Sequence, residues 1–187
     1  MRSYRPWLVL TMLIAVATSA CGTSAPSPSA SPPPLPVATS FEGYAVSFCA
    51  AFESMFLAVG NPDTASGSVL SKALDDAVTA GDGVAADRLA GEITAELESG
   101  RQHVRSAGGW SPAAPAMTQL DRVFVAFEAM TAAKAARARG ESSAIEPQAA
   151  FEGAGGVEAW FSMLEAYRAI DSQRPAEVQP CDVPISP

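Results

Sequence analysis

Few residues in this chain have both the type and the spacing for chemistry. Glu92 and Glu96 are four apart, and His103 lies seven beyond. On a helix the three fall on one angular stripe, and two carboxylates four apart can share a cation. A rise of ~1.5 Å per residue puts His103 about 10 Å along the axis from Glu96, too far to share a metal with it. Arg88 belongs to the same face, so the stripe reads as a solvated helix surface. Asp75 and Asp76 are adjacent and point in different directions on a helix, so they are not the facing carboxylates of a glycoside hydrolase. No Ser or Cys has a histidine at motif spacing, and with a single His, acid–base catalysis would rest on carboxylates alone. Gly153-Ala154-Gly155-Gly156 lacks the Lys-Ser/Thr and the preceding strand of a phosphate loop, and reads as a hinge or a close helix crossing.

Trp110 and Trp160 are the remaining candidates. Trp110 stands at a helix entry, where an apolar residue before the cap packs back as a staple, and Trp160 belongs to the apolar stripe of its helix. Core packing is the first reading of both. Lining a ligand pocket between helices is the second. The expected site list therefore has no catalytic residue, no metal ligand and no cofactor.

The elements that would position these residues are helical. Helix A spans about 40 to 59, with Thr39 and Glu42 at capping-box spacing and an apolar stripe of Phe41, Tyr44, Phe48, Phe52, Met55 and Val59. Helix B spans about 67 to 80, with Val69, Leu70, Ala73, Leu74, Ala77 and Val78 as its buried face. Asp82 caps helix C, which runs to about Ala107 on the stripe Ala86, Leu89, Ile93, Leu97, Gly100 and Val104. The Gly81-Asp82-Gly83 connection makes helices B and C antiparallel neighbours. Helix D starts between Ser111 and Pro115, carries Met117, Leu120, Phe124, Phe127 and Thr131 inward, and closes at Gly140. A broken fifth segment follows: Pro147 to Glu152, then Val157 to Ile170 with Trp160, Phe161, Leu164 and Tyr167 as its apolar set. No segment alternates at a strand period. The expected fold is an all-α, up-and-down helical bundle of four long helices plus the broken fifth segment.

The N-terminus says where such a bundle works. Arg2 and Arg5 precede the apolar run Trp7–Val16, which ends in Ala17-Thr18-Ser19-Ala20-Cys21-Gly22. The run is well short of the ~20 residues of a membrane span and has the layout of an export signal. With its small residues leading into a cysteine, the boundary Thr18-Ser19-Ala20-Cys21 resembles the lipobox of bacterial prolipoproteins. Thr18 stands where that family usually has an aliphatic residue. The resemblance covers residues 1–22. It implies removal of residues 1–20 and acylation of Cys21, with a diacylglycerol and fatty acyl chains such as palmitate anchoring the protein outside the cytoplasm. More than one chain is what stable anchoring requires.

Residues 21–40 follow as the lipidated cysteine and a Pro/Ser tether. They have almost no apolar side chains and should be disordered, with polyproline-II character. At ~3.1 Å per residue the tether reaches up to roughly 50 Å. Residues 41–187 are long enough for one domain. All 20 Asp and Glu lie after Cys21, whereas Arg2 and Arg5 precede it, so the exported chain is more acidic than the net −8 of the whole. Such a surface repels nucleic acid and anionic headgroups, leaving the lipid to hold the membrane. In an exported chain, Cys49 and Cys181 are expected to form a disulfide. It would tie a proline-rich C-terminal tail to the margin of helix A. Neither cysteine has a nearby His or basic neighbour to activate it. Three functions fit: a non-enzymatic binding or interaction module of the cell envelope, which leads; a small-molecule binder holding its ligand between helices near Trp110 and Trp160; and an envelope hydrolase whose site the sequence hides.

Overall fold

The computed structural model describes residues 34–60 and 67–178. The expected signal, Cys21 and the first part of the expected tether lie outside the described residues. Every regular element described is a helix: α1 (Phe41–Val59), α2 (Val69–Ala80), α3 (Gly83–Ala107), a 3-10 turn (Ser111–Ala113), α4 (Ala114–Ala138), α5 (Pro147–Gly153) and α6 (Gly156–Asp171). The main packing runs from α1 to α3, from α3 to α4 and from α4 to α6, with α2 lying across α3 and α4 and α5 against α4.

The apolar periodicities produce this arrangement. On α3 the whole expected stripe is buried, Ala86, Leu89, Ile93, Leu97, Gly100 and Val104. On α4, Met117, Leu120, Val123, Phe124 and Thr131 face inward. Asp82 caps α3 through a hydrogen bond from the Ala85 amide, 3.0 Å long. Gly81 ends α2 in the left-handed conformation at φ +65, which a residue without a Cβ adopts at no steric cost.

Local details differ from the sequence pattern in four places. The cap of α1 is Ser40, which accepts from the Gly43 amide at 3.3 Å. Thr39 is one residue too early for that geometry, and Glu42, at the second helical position, is not placed to complete a box. Ser68 caps α2, accepting from the Ser71 amide at 2.9 Å and donating to the Ala58 carbonyl at 2.8 Å, so the helix starts at Val69. Val69 and Phe161, expected inside, are 85 % and 66 % exposed. α2 and α6 each bury a narrower arc than their apolar residues span. The fifth segment, by contrast, follows the pattern: it is two helices joined at Gly155, and Gly156 sits where an added Cβ would stand 2.5 Å from Phe151 and 2.7 Å from Ala126. That is a close helix crossing.

The fourth difference concerns the start of the domain. Residues 34–40, expected to belong to the disordered tether, lie on the bundle. The Ala38 amide donates to the Ser106 carbonyl at 3.0 Å, the Ser106 hydroxyl donates to the Pro36 carbonyl, and Ala38 is buried. Val37 crosses Gly109 so closely that a Cβ there would meet it at 1.9 Å. Proline lacks an amide donor but keeps a carbonyl, and Ser106 near the end of α3 supplies that carbonyl with a partner. The described bundle therefore takes in residues 34–40, ahead of the expected start at residue 41.

Candidate functional site

The aromatic side chains of α1 form a continuous row. Phe41 and Tyr44 pack against Trp110 with ring centroids 5.4 and 5.5 Å apart. Phe48 stacks on Tyr167 at 5.0 Å, and Phe52 meets Trp160 at 6.2 Å. Residue numbers rise along α1 as they fall along α6, so the two helices run antiparallel. They touch through these rings. The structure thus puts Trp110 and Trp160 at separate points of one packed row, each half-buried against rings of α1.

Tyr44 is anomalous within the row. It is 2 % exposed, and its hydroxyl has no hydrogen-bond partner. Burial pushes its pKa far above the usual tyrosine range, and the nearby Tyr167 and Asp171 raise it further. Tyr167 is raised as well, first by burial and then by the charge of Asp171, which also accepts its hydrogen bond and pairs with Arg174 at 3.2 Å. An unpartnered buried hydroxyl costs about 1–3 kcal/mol. Tyr44→Phe is therefore expected to raise unfolding free energy at neutral pH by about 1 kcal/mol. A tyrosine whose folded pKa is raised stabilises the fold fully below its unfolded pKa of about 10, and that stability is lost as pH climbs through the folded value. Denaturation across the range above about pH 10 should thus show a shallower loss for Tyr44→Phe than for wild type. Equal slopes would mean that the hydroxyl is solvated.

The residues weighed for catalysis are not assembled into a site. Glu92 is exposed and pairs with Arg88 at 2.5 Å, while Glu96 and His103 are half-buried further along α3. Among the described residues no group of three or more His, Cys, Asp and Glu could hold a metal. A buried-edge ion network went unread in the sequence. The guanidinium of Arg101 on α3 donates to Asp121 on α4 at 2.9 Å and also meets Glu98 and Glu128, at 3.4 and 3.5 Å. The Asp121 hydrogen bond raises its pKa. Asp121 and Glu128 are seven apart, on one face of α4, which was the available signal. The network clamps α3 to α4.

A concavity lies elsewhere among the described residues, on the outer side of α1. It is an open cleft of about 1000 Å³. Val46, Cys49 and Ala50 form its floor, Phe41 stands at one end, and Pro175 and Val178, beyond α6, form the facing wall. Glu42, Glu53 and Glu177 stand in its lining. α1 is apolar well beyond its buried face: it is long and apolar enough to span a membrane, yet 39 % of that window is buried, which is how a core helix also supplies an apolar cleft floor. Cys49 is a half-cystine. Cys181, its expected partner, lies outside the described residues, as does Cys21. No protein-family model, curated protein or solved structure matches this chain.

Proposed function

We propose that this protein is a lipid-anchored, non-enzymatic binding module of the cell envelope, and that its ligand occupies the α1 cleft. The single observation behind the binding role is that cleft: about 1000 Å³, open, apolar-floored and rimmed by carboxylates. Ligand pockets commonly have such a size and a mostly apolar lining with a few polar groups. The cleft relocates the small-molecule reading from the gap between Trp110 and Trp160, where the rings pack on one another, to the far side of the same helix. The hydrolase reading would need buried carboxylates around His103, and Glu92 is exposed.

The anchor rests on the Thr18-Ser19-Ala20-Cys21 boundary. The finer architecture belongs to the same reading: a bundle whose C-terminal tail is tied to α1 through Cys49 and Cys181. Pro175 and Val178 beside Cys49 support it, since Val178 is three residues from Cys181. The anchor is tested with Cys21→Ala. The variant is expected to leave the membrane fraction and to lose incorporation of a fatty-acid probe. Unchanged retention and labelling would refute acylation at Cys21.

A further inference from the structure

We propose that the outer face of α6 is a self-association surface, on which a second copy of this chain packs antiparallel across a two-fold axis. The argument starts from Phe161. It is 66 % exposed and is the only exposed aromatic side chain among the described residues. Val157, one turn earlier, is 41 % exposed. Around this apolar pair the same helix sets Glu158, Glu165 and Arg168, all exposed. At ~100° per residue, Glu158, Phe161, Glu165 and Arg168 fall within about 80° of one another and share one face. Among the described residues none of these three charged side chains has an ion-pair partner, whereas Arg101, Arg137 and Arg174 each pair with a carboxylate.

The charge pattern of the face is complementary to itself in one orientation. A parallel partner would set Glu158 against Glu158 and Arg168 against Arg168, like charges facing. An antiparallel partner, with the axis level with residue 163, sets Glu158 against the partner's Arg168. The same pair recurs on the other side of the axis, as two-fold symmetry requires. The two pairs lie about 15 Å apart along α6. Between them the two Phe161 side chains are offset by about 6 Å along the helices, close enough for ring contact. Val157 comes level with the partner's Arg168, whose aliphatic stem can cover it. Glu165 is three residues before Arg168, so one guanidinium answers its own Glu165 and the partner's Glu158. Two copies of a chain with net charge −8 repel each other at long range. A contact between them therefore needs an apolar centre and opposite charges in register, and this face has both. One helix face is smaller than the roughly 800 Å² per partner of a stable complex, so the dimer is weak and forms with rising concentration.

The test is sedimentation equilibrium of the exported chain carrying Cys21→Ala, so that association is read without lipid. A monomer–dimer equilibrium with a Kd on the order of 100 µM is expected. Glu158→Arg and Arg168→Glu should each weaken it about tenfold, because the symmetry repeats every lost pair. The double variant rebuilds both pairs in reverse and should associate within about threefold of the parent chain. Phe161→Ser should abolish the dimer. Val84→Ser, at a more exposed apolar position at the start of α3, should change nothing. Thermal melts check that every variant is folded. A chain that stays monomeric up to about 1 mM overturns the proposal and leaves the face to a partner of another kind. A dimer that survives Phe161→Ser overturns it too, since the contact then lies on another face. So does a reversed-charge double variant as weak as the two singles.

Discussion

Replacing either Cys49 or Cys181 with serine is expected to cost the domain about 2–4 kcal/mol of stability, and replacing both is expected to cost no more than replacing one. The chain-entropy argument sets the scale. A bridge between these residues closes a loop of well over a hundred residues, for which restriction of the unfolded chain is worth up to about 4–5 kcal/mol, with measured values commonly lower. The native side must meet a geometric condition, Cα atoms within ~7 Å. Pro175 and Val178 line the same cleft as Cys49, so the tail arrives beside it with three residues left to reach position 181. α6 ends at Asp171, and the segment after it continues only as short turns, with backbone bonds from Gln173 to Ile170, Arg174 to Asp171 and Val178 to Pro175. A covalent tie at this point would decide whether one wall of the cleft persists. Urea denaturation of the two single variants and the double variant gives the stabilities, and non-reducing mass spectrometry gives the linkage. For a domain of this size the loss corresponds to roughly 5–15 °C in Tm. Additive losses from the two single variants, or free thiols at both positions in freshly isolated protein, would refute the pairing.

How far the sequence discloses this protein depends on whether a feature is local. The stripe of α3 was readable because Ala86, Leu89, Ile93, Leu97, Gly100 and Val104 recur at helical period with polar residues between them, and burial follows directly. The caps were readable to within a residue: Thr39 and Ser40 are adjacent hydroxyls of similar capping ability, and only the backbone selects Ser40. Burial at the edges of stripes was not readable. Val69 and Phe161 continue an apolar pattern, yet how wide an arc each helix buries depends on its neighbours, and α2 and α6 each leave a flank to solvent. Proline-rich composition hid the strap at Pro34–Ser40, because its order comes from Ser106, about seventy residues away in the chain, and composition carries no tertiary partners.

The same division runs through the candidate site. The floor of the cleft was present in the sequence as the Glu42, Val46, Cys49, Glu53 stripe, but it looked like the unremarkable outer face of a core helix. Its opposite wall comes from Pro175, Glu177 and Val178, so no window on α1 could reveal a concavity. Trp110 and Trp160 attracted attention as large rings, and the structure assigns their rings to the packed row of α1. Arg101 gives no local signal, since a lone arginine on a helix reads as solvated surface. Only the α3–α4 pairing brings Asp121 and Glu128 to it.

That α3–α4 pairing, and the fit of α1 against it, hinges on Gly100. Gly100→Ala is expected to destabilise the domain by about 2–3 kcal/mol, and Gly100→Leu to cost more or to prevent folding. An added Cβ would stand 2.4 Å from Cε1 and 2.6 Å from Cζ of Phe124 on α4, and 3.1 Å from Cβ of Ser54 on α1. Phe124 is fully buried, so its ring cannot swing into solvent to make room. Three helices meet at this point, and the missing side chain lets them approach. Opposing the clash is helix propensity, which favours alanine over glycine by about 1 kcal/mol in a helix interior. Gly91 isolates that smaller term. It lies in the same helix, is exposed, and has nothing within 4 Å of an added Cβ. Gly91→Ala should therefore stabilise the domain by up to about 1 kcal/mol. The sign of the two substitutions, measured side by side by denaturation, separates packing from propensity. Phe124→Leu should partly rescue Gly100→Ala by opening space beneath it, so the double variant should be less destabilised than the sum of the singles. A stabilising Gly100→Ala would mean that α3, α4 and α1 do not approach this closely. Strict additivity with Phe124→Leu would mean that the ring is not what the new methyl meets.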